Sequence, residues 1–325
     1  MSRMPPFSSL LKSREVEDPV NLWMHRPIAY VIASGLYRTP VTPNQMTLVA
    51  MLVGFAAGAL WLVGTPTMIM IGGILLWSSS ILDGVDGILA RAKNMSSDIG
   101  RALDGTADVF VVTATVVPAF IYLLRTYDQV SLVTLLAMMV VAVITTLPQI
   151  YLYDYYKEVY LHATRPGEER RRESVDKAEA RAAKAKAEGA PIWVRFSLNA
   201  YVGVLKNQQR VVRLLNPASI DIERSETTEK SAEIFRRHNH GPMQLWTFIS
   251  LCPHSYLLAI AAIIGRFDLY LWFRVVGANA LFIIALIWQR HASSRTLAEA
   301  EQSGLDWPGH HHGHGHTSVG GLRGS

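Results

Sequence analysis

Residues 83–108 read DGVDGILARAKNMSSDIGRALDGTAD, with five aspartates, two arginines and four glycines. If the first part is helical, Asp83, Asp86, Gly87, Ala90 and Arg91 share one face about 140° wide, since successive residues turn by about 100°. A second helix beginning near Asp98 carries Gly100, Asp104 and Asp108 at i, i+4 and i+8, again one stripe. Two such stripes facing each other bring four carboxylates together. Carboxylates clustered in a partly dry site do not all stay ionised without compensating cations. Oxygen-only donors suit hard ions, Mg2+, Mn2+ or Ca2+, rather than zinc. Two divalent cations about 3.5–4 Å apart would form a clamp for phosphoryl chemistry. Gly87 and Ala90 leave room for a ligand against the helix, and Arg91 offers a planar fork for phosphate. These parts describe a site for a metal-bound pyrophosphate.

A simpler explanation is that aspartates near helix ends cap the helix and face water. It suits Asp98, which follows NMSS and reads as the cap of the second helix. It does not suit Asp104 and Asp108, which fall inside that helix. Nor does it explain why small residues share the acidic face.

The elements that must hold these stripes are apolar. No charged residue occurs between Arg38 and Asp83, a run of 44 residues, more than twice the roughly 20 that cross a bilayer as a helix. GTP at Gly64–Pro66 supplies a turn in its middle, so the run reads as two spans. Further uncharged runs cover Val109–Leu124, Gln129–Tyr153 and Gly241–Gly265, and a sixth, Leu269–Gln289, is interrupted only by Arg274. The fold class is therefore all-α integral membrane with six transmembrane helices. Asn21–Arg38 adds an N-terminal amphipathic helix, which either lies on the membrane surface or packs on the protein. Residues 1–43 lack the short oily core and small-residue site of a cleavable signal peptide. Cys252 is the sole cysteine, so an intrachain disulfide is excluded.

The chain organises as 1–43, an N-terminal cytoplasmic segment; 44–160, spans one to four with the acidic motif; 161–240, a charged and amphipathic insert; 241–292, spans five and six; and 293–325, a His-rich tail. Lysine and arginine concentrate in the connections after spans two and four, which places those connections, both termini and the aspartates in the cytoplasm. In the insert, EERRRESVDKAEARAAKAKAEG is an alanine-rich charged helix or a disordered segment, with supporting pairs Glu168–Arg172 and Glu173–Lys177. Its acids are interleaved with its bases and aromatics are absent, so no nucleic-acid partner is expected. The following Pro191–Leu215 stretch mixes Trp193, Phe196, Tyr201 and Leu205 with Arg195, Lys206, Arg210 and Arg213. It suits anionic membrane lipid, or packing over the cytoplasmic mouth of the bundle. His310–His316 is a metal-chelating run that reads as a flexible tail or an expression remnant, outside any mechanism. Gly54 and Gly58 form a GxxxG that suits a homodimer face or close packing within one subunit. Arg274 is expected to satisfy a carbonyl or carboxylate of the bundle, and His254, after Pro253, to sit at a kink with its polar atoms satisfied.

The pattern D-x-x-D-G-x-x-A-R, eight residues, G-x-x-x-D-x-x-x-D resembles the signature of the CDP-alcohol phosphotransferase family, and all eight positions fit without a gap. The TPNQMT stretch, Thr42–Thr47, is similar to that family too. The resemblance implies that Asp83, Asp86, Asp104 and Asp108 hold two divalent cations, Mg2+ or Mn2+. Asp108 would also act as general base on the acceptor alcohol. Gly87, Ala90, Arg91 and Gly100 would line the nucleotide site, with Asn44 contributing less directly. A CDP-alcohol donor, most commonly CDP-diacylglycerol in the family, would pass its phosphate-linked alcohol to the acceptor and release CMP. LDG around Asp104 and YDYYKEVY after span four are similar to members that use inositol phosphate or related polyols. Lys93, Arg101 and Lys157 are candidate acceptor-phosphate contacts, although anchoring at the membrane surface explains basic residues there equally well. The long insert departs from minimal members and leaves the acceptor open.

Two other functions share some of these features. An intramembrane prenyltransferase also binds a metal-pyrophosphate, but it needs a second aspartate-rich motif, and no span after Asp108 has one. A divalent-cation transporter needs acidic residues along the membrane depth, whereas here they gather at one end.

Overall fold

The computed structural model describes residues 4–10, 14–167, 175–225 and 227–305; of Asp98, Ile99, Arg101, Ala102 and Trp193 it describes the backbone alone. Its regular elements are helices. After short turns at Phe7–Leu10, Arg14–Val16 and Asn21–His25 come α1 (Arg26–Leu36), α2 (Pro43–Val63), α3 (Pro66–Ala92), α4 (Asp98–Thr126) and α5 (Leu132–Ala163). Then follow α6 (Val175–Ala187), α7 (Ile192–Leu215), α8 (Pro217–Arg224), α9 (Glu229–Thr247), α10 (Leu251–Ile263), α11 (Phe267–Trp272) and α12 (Ala278–Gln302). Among the described residues six helical stretches are long and apolar enough to cross a membrane, including Glu229–Ile263 and Phe267–Gln302. The chain is a multi-pass membrane protein.

Local sequence sets the helix ends. Thr42 caps α2 in a reciprocal box with Gln45, and Pro43 takes the first turn, where its missing N–H costs nothing. Gly64, at φ 80°, ends α2 in a left-handed conformation, and Thr65 with Pro66 starts α3 at once. The turn thus falls on GTP, as expected. The cap of α4 is Ser97 rather than Asp98: its extended backbone directs Oγ to the Gly100 N–H at 3.0 Å. Asp98 is the first helical residue, which corrects the reading from NMSS by one position.

The chain divides into two compact units. The first joins Met1–Tyr153 with Met243–Ala285. Within it α2 packs on both α3 and α4, α10 packs on α3, and α1 lies along α3. Lipid is as apolar as leucine, so close backbone approach rather than hydrophobic burial must hold such helices together. The GxxxG of α2 supplies it. A methyl group on Gly58 would sit 1.8 Å from the Ala114 carbonyl oxygen, and one on Gly54 would meet Val111 at 2.7 Å. This glycine face is therefore occupied inside the chain. Trp61, Ile69, Leu76, Leu135, Leu258 and Phe267 form one apolar cluster, and Leu10, Ala29, Ala33, Met46, Val85 and Leu89 form another around the acidic end of α3. Leu52, Val63, Val133 and Ile144 point outward, as a lipid-facing surface requires.

α1 uses both of its faces. Ala29 and Ala33 are fully buried, while Val31 and, in the turn before it, Trp23 are 70% and 80% exposed. Packing on the protein and an apolar face left for the interface coexist in one helix. Span six keeps Arg274 buried. Its guanidinium donates to Gln149 Oε1 (3.0 Å), to Thr146 Oγ1 and to the Ala142 carbonyl (3.4 Å), and His254 Nε2 lies 3.0 Å from Nη1. A bundle carbonyl does satisfy it, and His254 is satisfied by the same cluster. The expected kink appears as the break between α9 and α10, just before Pro253.

The second unit joins Asp154–Pro242 with Leu286–Ser325, so most of the insert is ordered helix. Arg181 lies over the Tyr201 ring at 5.9 Å and Lys206 pairs with Glu179, which fastens α7 to α6. Ile192, Phe196, Arg210, Arg213 and Leu214 are exposed along α7, whereas Leu205 and Val212 are buried. A buried polar ladder links Asn216 to Ser293 (3.0 Å), Gln289 to Asn239 (2.7 Å) and Asn239 to Thr296 (2.8 Å). The Glu168–Arg172 pair, Glu173 and the His310–His316 run lie outside the described residues.

Candidate metal and nucleotide site

Asp83 and Asp86 stand one turn apart at the acidic end of α3. Asp104 comes from α4, and α2, packed against both helices, brings the two acidic stripes together. One carboxylate oxygen from each of Asp83, Asp86 and Asp104 lies within 4.8 Å of the other two. Asp86 is buried and the other two are half-buried. Thr47, from α2, donates its hydroxyl to Asp86 Oδ2. That bond fixes one carboxylate and leaves its other oxygen for a ligand. No Lys, Arg or His nitrogen comes within 4.0 Å of these three carboxylates among the described residues.

The donors fit hard divalent cations. They are all oxygen, they converge from two helices, and among the described residues no protein cation pairs with them. Asp108 is half-buried and one turn beyond Asp104. Asp108 lies near enough to act electrostatically on Asp83, as Asp86 and Asp104 do. It borders the three-carboxylate group without belonging to its tightest part.

The small residues have the neighbours a ligand site needs. The Arg91 guanidinium covers Gly87, where an added methyl would meet Nη1 at 3.5 Å. Arg91 Nε donates to the Leu10 carbonyl at 2.6 Å, so the N-terminal segment steadies this side chain. Gly100 lies under Asn44, whose Oδ1 would be 3.3 Å from an added methyl. Ala90 is half-buried on the Gly87 side of α3, and Asn44 is exposed. Gly87 with Arg91, and Asn44 with Gly100, are thus paired in space as well as in motif.

The candidate acceptor contacts divide. Lys93 donates to the carbonyls of Thr39 (2.9 Å) and Val41 (2.7 Å), which ties the end of α3 to the start of α2. Lys157 belongs to the second unit and pairs with Asp154 at 3.0 Å. The Arg101 side chain lies outside the described atoms.

Thr47, Arg26 and Glu17 were not singled out from sequence. Asn44 and Thr47 stand three apart in TPNQMT, and that helical spacing was the available signal. Arg26 Nε and Nη2 bind the two oxygens of Glu17 at 2.9 and 3.2 Å, and Arg26 acts electrostatically on both Asp83 and Asp86. Its only sequence cue was a charge at the start of an otherwise apolar α1.

Residues 40–183 match the sequence profile of the CDP-alcohol phosphatidyltransferase family. A "bifunctional IPC transferase and DIPP synthase" of Thermococcus kodakarensis is 45% identical over 78 residues, 24% of this chain and 17% of that protein. A protein of the same description from Rubrobacter xylanophilus is 35% identical over 92 residues, 28% of this chain and 20% of that protein. Inner membrane protein YnbA of Escherichia coli is 32% identical over 120 residues, 37% of this chain and half of that protein. The chain therefore spans a fifth or less of the length of the two bifunctional relatives. The stretch 40–183, a little under half of the chain, encloses the eight motif positions and the carboxylates they bring together, and it is this stretch that is similar to the CDP-alcohol phosphatidyltransferase family.

Proposed function

We propose that the protein transfers a phosphate-linked alcohol from a CDP-alcohol, with CDP-diacylglycerol as donor, to an acceptor alcohol, and releases CMP. The observation that carries this reading is the convergence of Asp83, Asp86 and Asp104 beside the Gly87–Arg91 and Asn44–Gly100 pairs. Asp83, Asp86, Asp104 and Asp108 would hold two Mg2+ or Mn2+ ions. Bound there, the ions supply neutralisation of the pyrophosphate charge. Arg91 takes phosphate oxygens, while Gly87, Ala90 and Gly100 leave room for the nucleotide. Asp108 accepts the proton of the acceptor hydroxyl. That oxygen forms a bond to the phosphorus bearing the alcohol, and the bond from this phosphorus to the CMP oxygen breaks.

The basic connections support a cytoplasmic face for the site, where a lipid donor and a soluble acceptor can meet. The motif's likeness to polyol-using members supports a polyol phosphate as acceptor. A thermal-shift comparison tests the donor class: with Mg2+ present, a CDP-alcohol should stabilise the purified protein and a prenyl pyrophosphate should not. The reverse result would favour the prenyltransferase reading.

A further inference from the structure

Arg26 lies outside the motif, yet the fold delivers it to the carboxylate cluster. Gly84, between the two α3 aspartates, lets α1 approach closely: a methyl there would stand 3.3 Å from Ala29 Cβ and 3.8 Å from Arg26 Nη1. Glu17 occupies Nε and Nη2 of the same guanidinium. The third nitrogen, Nη1, is the one beside Gly84. Arg26 and Glu17 keep only 15% and 8% of their side-chain surface exposed, so the geometry is held rather than sampled.

A plain counter-ion would pair directly with an aspartate, and no such pair forms. What the clamp provides is orientation, since a fixed planar fork suits a phosphate oxygen better than a mobile cation does. We propose that Arg26 is a phosphate-contacting residue of the donor site, aimed by Glu17 as its positioning residue. The inference rests on the reading of the aspartates as a metal-pyrophosphate site and extends it to the N-terminal helix.

Such a residue has a two-sided signature. A positive group beside the carboxylates opposes cation binding when no nucleotide is present, and favours the anionic nucleotide once cations are bound. Binding of Mn2+ alone, followed by electron paramagnetic resonance, and binding of CDP at saturating Mn2+ separate the two effects in the purified full chain. Arg26→Met should tighten Mn2+ binding by about three- to ten-fold and weaken CDP binding by about ten-fold. Arg26→Lys keeps the charge and should leave Mn2+ affinity near wild type while recovering part of the CDP affinity. Glu17→Gln should weaken CDP binding without tightening Mn2+.

Arg26→Met could instead disturb the N-terminal segment by leaving Glu17 unpaired. The double variant Arg26→Met/Glu17→Met removes both charges and should still weaken CDP binding by about ten-fold, with a smaller gain in Mn2+ affinity. Equal weakening of both ligands, or no change in either, would overturn the role of Arg26. A wild-type protein that binds no Mn2+ would overturn the site reading itself, a result distinct from the other two.

Discussion

The hydroxyl of Thr47 on α2 donates to Asp86 Oδ2 on α3, joining positions 39 residues apart within the acidic cluster. Hydrogen bonds to a ligating carboxylate orient it, and their loss typically costs about 10–100-fold in metal affinity or activity. Thr47→Val should therefore weaken Mn2+ binding by about ten-fold or more with little loss of thermal stability. Thr47→Ser, which restores the donor, should recover most of the affinity. Equal affinities in wild type and Thr47→Val would remove Thr47 from the site.

Helix spacing should be set by Gly58. An added methyl there would collide with the Ala114 carbonyl, a backbone atom that cannot swing aside, and overpacking of that sort costs about 1–3 kcal/mol. Gly105 on α4 meets nothing within 4 Å, so Gly105→Ala should be neutral or gain about 0.5–1 kcal/mol from helix propensity. Melting curves of the two variants in one detergent check the contrast. If Gly58→Ala melts like wild type, the close approach of α2 to α4 is wrong.

His25 should make the docking of the N-terminal segment acid-sensitive. It is buried against Trp77 and Tyr256, with Cys252 Sγ at 3.8 Å, and its Nε2 has no hydrogen-bond partner among the described residues. Burial, aided by the neighbouring Arg26 charge, lowers its pKa from 6.5 to about 4. A histidine lowered on folding stabilises the fold fully above pH 6.5 and loses that contribution as pH falls toward 4. The loss reaches about 3 kcal/mol. Asp18, which burial raises, runs the other way, its folded form holding its proton to higher pH. His25→Phe should flatten the decline in melting temperature between pH 6.5 and 4. An unchanged decline would assign the acid sensitivity elsewhere.

Arg274 should matter to the bundle and not to the metal site. Arg274→Leu leaves Gln149 and Thr146 without its donors, at a cost of about 1–3 kcal/mol. Mn2+ affinity should stay within about two-fold of wild type, because none of its partners is a motif residue. A large loss of Mn2+ binding would join this cluster to the site.

The features that local periodicity controls were legible in the sequence. The six spans, the GTP turn, the two acidic stripes and the carbonyl contact of Arg274 all follow from charge spacing and from the cost of unsatisfied groups in lipid. Ser97 was mistaken for its neighbour because a serine and an aspartate cap helices equally well. Thr47, Arg26 and Leu10 were hidden for another reason. Each reaches the motif from a different element, and periodicity within one helix carries no information about which helix lies beside it.

The central claim is tested most directly by CMP release. The purified protein, in CDP-diacylglycerol micelles with Mn2+ or Mg2+, is given a panel of acceptor alcohols that includes polyol phosphates, with Asp108→Asn run in parallel. Acceptor-dependent CMP release from the wild type, lost in Asp108→Asn, is the expected result. CMP release that is equal in Asp108→Asn, or a wild-type protein that binds no cytidine nucleotide and releases no CMP with any acceptor, would contradict it.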